Sequence, residues 1–298
     1  MSDQRPFCAE HPDRLSAGTC ARCGRFACEA CFHPATGRCT TCHARTADPL
    51  GVRAAPFSVG QVLASAAKLA RTALPTVIGV SLTMVLSGYL VNTLRPFAPE
   101  LVARGHTLLT IARTLMVGTF LHGVLLAQMA GAAQGETVSV PEAMGRSASA
   151  YGRMFWGQLV SLGAVALGSL ACGVPGIIAA VVFWLVLPAA YLEPDRPATQ
   201  VSVELTRNQR WPVFALLLLS RIIIIGTVAV PYVLRVTLLE SGLPTEHMTM
   251  VFWVAGLGVD LVRELVESFT VAMTLAAYLR LRYAAELALE GDVTLLAA

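Results

Sequence analysis

Six long apolar runs occupy most of the chain after residue 73, and they constrain the fold more than any other feature. A helix of about twenty predominantly apolar residues is long enough to cross the hydrocarbon core of a bilayer. By length and polarity the predicted spans are residues 74–94, 107–130, 155–173, 175–192, 212–235 and 255–281. The third and fourth are predicted to form a tight hairpin, in which Pro175 stands at a helix start that tolerates it. The sequence therefore predicts an all-α integral membrane domain.

The first 56 residues differ in character from the rest of the chain. The 298 residues together are 55% hydrophobic and only 14% charged, yet this segment holds seven of the eight cysteines and no long apolar run. A small polar module is therefore joined to a large membrane domain. The predicted divisions are a cysteine-rich module at 1–45, a linker at 46–56, an amphipathic interfacial helix at 57–73, a six-helix transmembrane domain at 74–282 and a cytoplasmic tail at 283–298.

Eight candidate metal ligands in the module form four pairs, with two residues between the members of each pair. They are Cys8 and His11, Cys20 and Cys23, Cys28 and Cys31, and Cys39 and Cys42. The spacer lets both side chains of a pair reach one ion, and zinc takes four nitrogen or sulfur ligands in structural sites. Fewer than fifty residues cannot bury a self-sufficient core, so we expect two Zn²⁺ ions to supply the folding energy.

Other uses of these thiols fit the segment less well. No signal peptide is visible, so the module is expected on the reducing side of the membrane, which disfavours structural disulfides. A catalytic dithiol needs a thioredoxin-like strand and helix, for which the segment is too short. An open catalytic zinc site needs a position for water and a nearby acid or base. Glu10 and Glu29 are the nearby glutamates, and solvation at the surface explains both.

The spacing resembles the B-box zinc finger over residues 8–42, through the stretches CAEH, CARCG, CEAC and CTTC. In B-boxes the pairs are interleaved, the first with the third and the second with the fourth. The resemblance implies one site of Cys8, His11, Cys28 and Cys31 and another of Cys20, Cys23, Cys39 and Cys42. B-boxes often use histidine in the last pair, where this chain has cysteine, which leaves His33 and His43 as alternative ligands of the second site.

Residues 57–73 have the pattern of an amphipathic helix. Ser58 and Gln61 form a capping box at its start. One face carries Ser58, Gln61, Ser65, Lys68 and Thr72, and the other carries Val59, Val62, Leu63, Ala66, Leu69 and Ala70. We expect this helix to lie in the membrane interface, with packing against the zinc module as the alternative.

An inner amphipathic helix followed by two spans occurs three times, although the spacings differ. The second copy begins with a capping box at Ser139 and Glu142. This order, together with Tyr278 to Arg282 and Glu290 to Asp292, resembles a broad bacterial group of six-span domains. That group is related to the membrane portion preceding some glycerophosphodiester phosphodiesterases. The likeness covers residues 57–292 and implies an architecture without a reaction, because the phosphodiesterase catalytic domain is absent.

The placement of basic residues predicts the orientation in the membrane. With the N-terminus inside, the inner segments carry Lys68, Arg71, Arg146, Arg153, Arg196, Arg207, Arg210, Arg280 and Arg282, and the outer loops carry Arg95, Arg104 and Arg235. An excess of basic residues marks the cytoplasmic side, so we expect a multi-pass protein of the cell (inner) membrane with both termini in the cytoplasm. The net charge of +3 is slight, and no nucleic-acid partner is expected.

Six charged residues fall within the predicted spans, where charge is costly and is by default a functional hypothesis. They are Arg113 in the second span, Arg221 in the fifth, and Asp260, Arg263, Glu264 and Glu267 in the sixth. One hypothesis is a polar pathway for a proton or an ion, with Glu267 as the titrating group. The simpler interpretation is charge neutralisation, in which Arg263 pairs with Glu267 and Asp260 on its own helix. Arg221 and Arg113 would then balance the remaining negative charge.

No catalytic motif accompanies these features. The sequence has no serine nucleophile motif with a partner histidine, no His-Glu-x-x-His signature and no phosphate-binding loop, which predicts a protein that is not an enzyme. The expected function is a membrane adaptor or scaffold whose zinc module recruits a cytoplasmic protein. Its candidate contacts are Arg22, Arg25, Phe26 and Phe32, unless the phenylalanines pack the small core. A transporter or channel regulated by the module is the alternative, and membrane shaping and a homo-oligomer stay open.

Overall fold

The computed structural model describes residues 6–21, 23–34, 37–40, 42, 48, 50–52, 57–93, 105, 108–240 and 245–289. The sequence predictions that concern Arg22, His43, Arg95, Arg104 and Glu290 to Asp292 lie outside these residues. Contacts divide the chain into two units. The first is Met1–Pro49 with Ala133–Glu136, and the second is Leu50–Ala132 with Thr137–Ala298.

Two short antiparallel hairpins form the described part of the N-terminal segment. They are β1 (Gly18–Thr19) with β2 (Phe26–Ala27), and β3 (Phe32–His33) with β4 (Arg38–Cys39). Gly24 and Gly37 have φ angles of 69° and 63°, which favour glycine, and they let the chain turn before β2 and β4. The buried cluster of this unit is made of cysteines and Ala27, with Phe32 packed against it. A core of this composition cannot stabilise the unit by apolar burial alone.

Helices dominate the rest of the chain. Among the described residues they are α1 (Val59–Thr72), α2 (Leu74–Thr93), α3 (Leu108–Ala133), α4 (Val140–Cys172), α5 (Val174–Val182), α6 (Val186–Leu192), α7 (Ala198–Thr206), α8 (Arg210–Glu240) and α9 (Thr245–Leu289). The serine half of each of the two predicted capping boxes is confirmed. The hydroxyl groups of Ser58 and Ser139 accept hydrogen bonds from the backbone amides of Gln61 and Glu142, each at 3.4 Å.

In the described residues, four helical segments are long and apolar enough to cross a membrane. They are α3, α4, the α5–α6 pair and the first part of α8, Arg210–Thr227. The number rises to five if α1 and α2, which are bent by 85° at their junction, form one broken span. Large apolar side chains are exposed on these helices, for example Leu167 and Leu170 on α4 at 71% and 84%. Such surfaces indicate a multi-pass membrane protein.

The predicted sixth span, residues 255–281, lies within α9 but does not meet the same criterion. Charged residues interrupt its apolar sequence at both ends. From Val271 to Leu281 every residue is at most 8% exposed, because α9 packs against α1, α2 and α8. A helix that other helices cover does not have to be apolar enough to face lipid itself. The structure thus shows four or five candidate spans, and six stays a prediction.

The helical hairpin of α4 and α5 forms at the place that the sequence predicts. Gly173 connects the two helices with a φ angle of 80°. The helices then approach so closely that a Cβ atom on Gly168 would lie 2.6 Å from the backbone nitrogen of Gly176. The inner amphipathic helix predicted before this span is not separate from it, because α4 runs without a break for 33 residues.

The α5–α6 pair is interrupted at residues 183–185, and a side chain from α7 satisfies the interrupted backbone. The Ser202 hydroxyl donates a hydrogen bond to the Val182 carbonyl at 2.6 Å and accepts one from the Leu185 amide at 3.3 Å. Ser202 is completely buried. Because lipid supplies no hydrogen bonds, an irregular backbone inside a span requires partners of this kind from the protein.

We predict that Gly168→Ala destabilises the α4–α5 hairpin, because the added methyl group meets backbone atoms that cannot rotate away. The expected loss is about 1–3 kcal/mol, measured by denaturant titration in mixed micelles. Gly163→Ala on the same helix is the matched control, because no atom lies within 4 Å of its Cβ position. Equal stability of the two variants would contradict this account of the packing.

Candidate metal centres and intramembrane charges

The first candidate metal centre is formed by Cys8, His11, Cys28 and Cys31. The His11 Nδ1 atom lies 4.0 Å from the Sγ atom of Cys8, 3.7 Å from that of Cys28 and 3.2 Å from that of Cys31. All four ligand atoms lie within 4.8 Å of one another, and the three cysteines are buried. Two ligands come from the segment before β1 and two from the segment between β2 and β3.

The second candidate centre is formed by Cys20, Cys23, Cys39 and Cys42, again with all ligand atoms within 4.8 Å. The Sγ atoms of Cys23 and Cys39 are 3.9 Å apart. Cys23 is exposed and the other three cysteines are buried. His43 and the side chain of His33, the alternative ligands, lie outside the description.

Local backbone contacts hold the members of each pair in position. The Gly24 amide donates to the Cys20 carbonyl and the Cys31 amide donates to the Cys28 carbonyl, both at 2.9 Å, which closes a tight turn around each pair. The Thr40 amide donates to the Cys31 carbonyl at 2.7 Å and so connects the two groups. The structure therefore brings the four pairs together as first with third and second with fourth.

The distances fit a tetrahedral metal ion. With a zinc–sulfur bond of about 2.3 Å, tetrahedral geometry separates neighbouring sulfur ligands by about 3.8 Å. In the first group the Nδ1–Sγ distances of 3.2–4.0 Å lie around the roughly 3.6 Å expected for a nitrogen and a sulfur ligand of one zinc ion. In the second group the Sγ–Sγ distance of 3.9 Å is close to the sulfur–sulfur value. Each group can hold one metal ion, and the thiolate and imidazole donor set is that of zinc.

Burial, together with the neighbouring thiols, opposes the ionisation of one cysteine in each tetrad. Burial, followed by the neighbouring Cys28 and Cys8 thiols, raises the pKa of Cys31 to about 12. Burial, followed by the thiols around it, likewise raises the pKa of Cys42 to about 12. Burial acts in the same direction on Cys8, but hydrogen bonds led by the Cys28 backbone lower its pKa to about 6. A divalent ion would compensate the repulsion between thiolates, and four protein ligands would fill a tetrahedral site completely.

Glu10 lies near the first centre, although the sequence predicts only that it is solvated at the surface. Glu10 is exposed, but its Oε2 atom accepts a hydrogen bond from the Cys31 thiol at 3.7 Å. Its position between Cys8 and His11 in the sequence is the signal that could have placed it beside the ligands. The Glu10 carboxylate can accept a hydrogen bond from a thiol, but the tetrad has four ligands without it.

Comparisons with known proteins find no match, whether with family models, curated proteins or solved structures. The resemblances to B-boxes and to six-span domains consequently depend on the residues and the architecture of this chain alone. What the structure shows directly is two tetrads able to hold metal and several helices able to span a membrane.

Two of the predicted intramembrane charges meet between α3 and α9. The Arg113 guanidinium donates hydrogen bonds to the Met84 carbonyl at 2.5 Å and to the Ser87 hydroxyl at 3.3 Å. Its other terminal nitrogen lies 4.0 Å from Glu264 Oε1, and the two side chains are only 11% and 9% exposed. A π-helical segment, Thr114–Gly118, follows Arg113 directly and changes which face of α3 the following residues occupy.

The remaining four charges are not paired as neutralisation on one helix would require. The ion pair that Arg263 makes in the described structure is with Glu264, at 4.0 Å, rather than with Glu267 or Asp260. Asp260 instead accepts a hydrogen bond from the Tyr89 hydroxyl at 3.4 Å. Glu267 is half-buried on α9, and Arg221 is exposed on α8.

A buried arginine that the sequence assigned only to a cytoplasmic exit joins α1 to α9. The Arg280 guanidinium is 3% exposed and donates to the side-chain Oε1 atom of Gln61 at 3.0 Å and to the Ser65 hydroxyl at 2.6 Å. The polar face of α1 is thus partly turned inward, and Ser65 is 2% exposed. Part of the polar face of α1 therefore meets protein, because the buried Arg280 needs hydrogen-bond partners there.

A second polar cluster, also missed, surrounds Glu193 at the end of α6. Its carboxylate accepts a hydrogen bond from the Tyr278 hydroxyl and lies 3.4 Å from Arg282 Nε and 3.5 Å from the Arg196 guanidinium. Arg196 also lies 2.5 Å from Glu204, and this contact lowers the pKa of Glu204. In the sequence these arginines indicate only the orientation, and the glutamates that lie between them are the signal for the ion pairs.

We predict that the full chain, purified in mild detergent without chelator, carries about two zinc ions, one for each tetrad. Cys28→Ser should lower the content to one ion or fewer, because the first tetrad then lacks a thiolate. Cys172→Ser is the control, since this exposed cysteine lies outside both tetrads. Elemental mass spectrometry gives the ratio. A wild-type ratio below one, or an equal loss in the control, would contradict the two-centre assignment.

We also predict that Glu264→Gln destabilises the helical unit by about 3 kcal/mol, because it leaves the Arg113 charge buried without its counter-ion. Removing both charges, with Arg113→Met and Glu264→Leu, should recover most of that loss. The exposed pair of Arg146 and Glu142 is the control, and Glu142→Gln should cost less than about 1 kcal/mol. Unfolding in mixed micelles measures all three, and equal losses for both glutamates would refute the assignment.

Proposed function

We propose that this protein is a non-enzymatic, zinc-stabilised membrane adaptor whose N-terminal module recruits a protein to the cytoplasmic face of the cell (inner) membrane. The observation that carries the proposal is the pair of complete tetrads in a unit whose buried cluster is largely their own cysteines. A metal ion that fills such a site holds a surface rigid, and it leaves no position for a reacting water.

The interleaved grouping of the pairs supports a B-box-like module. This grouping is what the resemblance implies, and the structure contains it in both tetrads. A fold does not by itself specify a function. The likeness to B-boxes therefore supports a B-box-like scaffold but does not identify the partner.

The surface of the module supports a role in recognition. Phe7, Leu15 and Phe26 are 60%, 57% and 42% exposed, although the unit has few apolar residues to spare. Phe32, by contrast, packs against the cysteine cluster. Exposed apolar side chains beside an exposed arginine such as Arg25 are typical of protein-interaction surfaces.

The helical unit supports a membrane anchor with six spans. The twenty-one residues from Asp260 to Arg280 rise about 30 Å from the first to the last in a straight helix, which is the thickness of a hydrocarbon core. Arg280 contacts α1, and Arg282 contacts the end of α6, so these polar segments share one end of the bundle. In the proposed orientation this end faces the cytoplasm, as the basic residues indicate.

A transporter or channel is the alternative, and the polar contacts between α2, α3 and α9 favour it. Besides Arg113 and Glu264, two buried hydroxyl groups, those of Ser81 and Ser268, lie 3.2 Å apart between α2 and α9. We prefer the adaptor, because Arg113 has hydrogen bonds and a counter-ion and so has a structural explanation.

The deciding experiment compares three variants of the full chain in native membranes by cross-linking and quantitative mass spectrometry. An adaptor should lose a defined set of cross-linked proteins when Cys28→Ser and Cys31→Ser disable the first tetrad, and should keep them in Cys172→Ser and Glu267→Gln. The physical reason is that only the first variant removes the metal that holds the recognition surface. The adaptor proposal fails if the tetrad variant keeps the same cross-linked proteins. Loss of ion flux in Glu267→Gln alone would support the transporter.

A further inference from the structure

An open groove of about 350 Å³ lies between α5 and α8. Its α5 side includes Ile177, Ile178 and Val181, and its α8 side includes Arg210, Trp211 and Phe214. This volume is within the range of sites that bind small molecules. Ile177 and Ile178 are about half exposed, so the groove has an apolar wall that the described protein does not cover.

The groove carries positive charge only, among the residues that the structure describes. Arg210 is exposed, and no acidic side chain is among the described residues that line the groove. Trp211 is 81% exposed beside it, and its ring meets the edge of Phe214 with centroids 6.0 Å apart. Arginine and tryptophan are the side chains that sit at the boundary between lipid headgroups and acyl chains.

The polar end of the groove lies at the start of α8. Arg210 is the first residue of α8 and of its candidate span. Val182, at the end of α5, accepts hydrogen bonds from the Ser202 and Thr206 hydroxyl groups of α7. Helix α7 ends four residues before Arg210. Ile177 lies five residues before Val182 on α5, about 7.5 Å from it along the helix axis. The polar end and the apolar end of the groove thus match the order of a phospholipid molecule.

A second groove, next to Arg153 and Trp156, has a different charge pattern. Its lining includes Asp195 and Arg196, and Arg196 is already paired with glutamates. Acidic groups beside a cation weaken its attraction for a phosphate. Charge complementarity therefore distinguishes the α5–α8 groove from this one.

We propose that the α5–α8 groove binds one anionic phospholipid, with the phosphate at Arg210, the glycerol region at Trp211 and one acyl chain along Ile177 and Ile178. The inner leaflet is rich in anionic lipid, and basic residues at its surface attract it. This site is independent of the zinc module and of its partner.

Native mass spectrometry of the delipidated full chain, titrated with phosphatidylglycerol or phosphatidylcholine, tests the site. We expect one preferred phosphatidylglycerol adduct. Arg210→Gln should weaken its binding about fivefold, which corresponds to the loss of one interfacial arginine. Arg207→Gln is the matched control, because Arg207 is exposed three residues earlier and does not line the groove, and it should leave the binding essentially unchanged.

A second pair of variants tests the acyl-chain position. Ile178→Trp should fill the groove and reduce binding of both lipids, whereas Val174→Trp, at an exposed position on α5 outside the groove, should not. Equal effects of Arg207→Gln and Arg210→Gln would overturn the proposal in favour of general surface attraction. Full binding in Ile178→Trp, or displacement of the lipid by inorganic phosphate alone, would overturn the acyl-chain site.

Discussion

Polar groups among the helices of this chain must find their partners within the protein, because lipid offers no hydrogen bonds. Arg280 meets this constraint with Gln61 and Ser65, and Arg113 meets it with Met84 and Glu264. The break between α5 and α6 meets it through hydroxyl groups of α7, chiefly that of Ser202. These contacts determine which helices are neighbours and which faces are buried. The apolar outer surfaces only determine that the assembly lies in a membrane.

The N-terminal unit depends on a different source of stability. Its buried cluster consists of cysteines and one alanine, so packing contributes little, and two metal ions would have to supply most of the folding free energy. We expect such a module to be rigid when metal is bound and unfolded when it is not. A surface of this kind suits recognition, because the exposed Phe7, Leu15 and Phe26 can be presented in a fixed arrangement without an apolar core beneath them.

The central position of α9 explains why its sequence looks less like a membrane span than its neighbours. Other helices surround it from Val271 to Leu281, so its composition is set by contacts with protein rather than with lipid. Its polar residues have partners on α1, α2 and α3, while the lipid-facing residues belong to helices such as α4 and α8. A protein of this arrangement has exposed grooves between its outer helices, and the lipid site inferred between α5 and α8 occupies one of them.

Local spacing in the sequence determined the eight candidate metal ligands, the N-caps at Ser58 and Ser139 and the α4–α5 hairpin, because each depends on residues only a few positions apart. The interleaved grouping of the ligand pairs came from a resemblance rather than from the spacing itself. The tertiary structure alone decided that Ser65 faces inward, since its partner Arg280 is 215 residues away. It also decided that Glu264 is the contact of both Arg263 and Arg113. Helical periodicity shows which residues share a face, but only the packing of distant helices decides what that face meets.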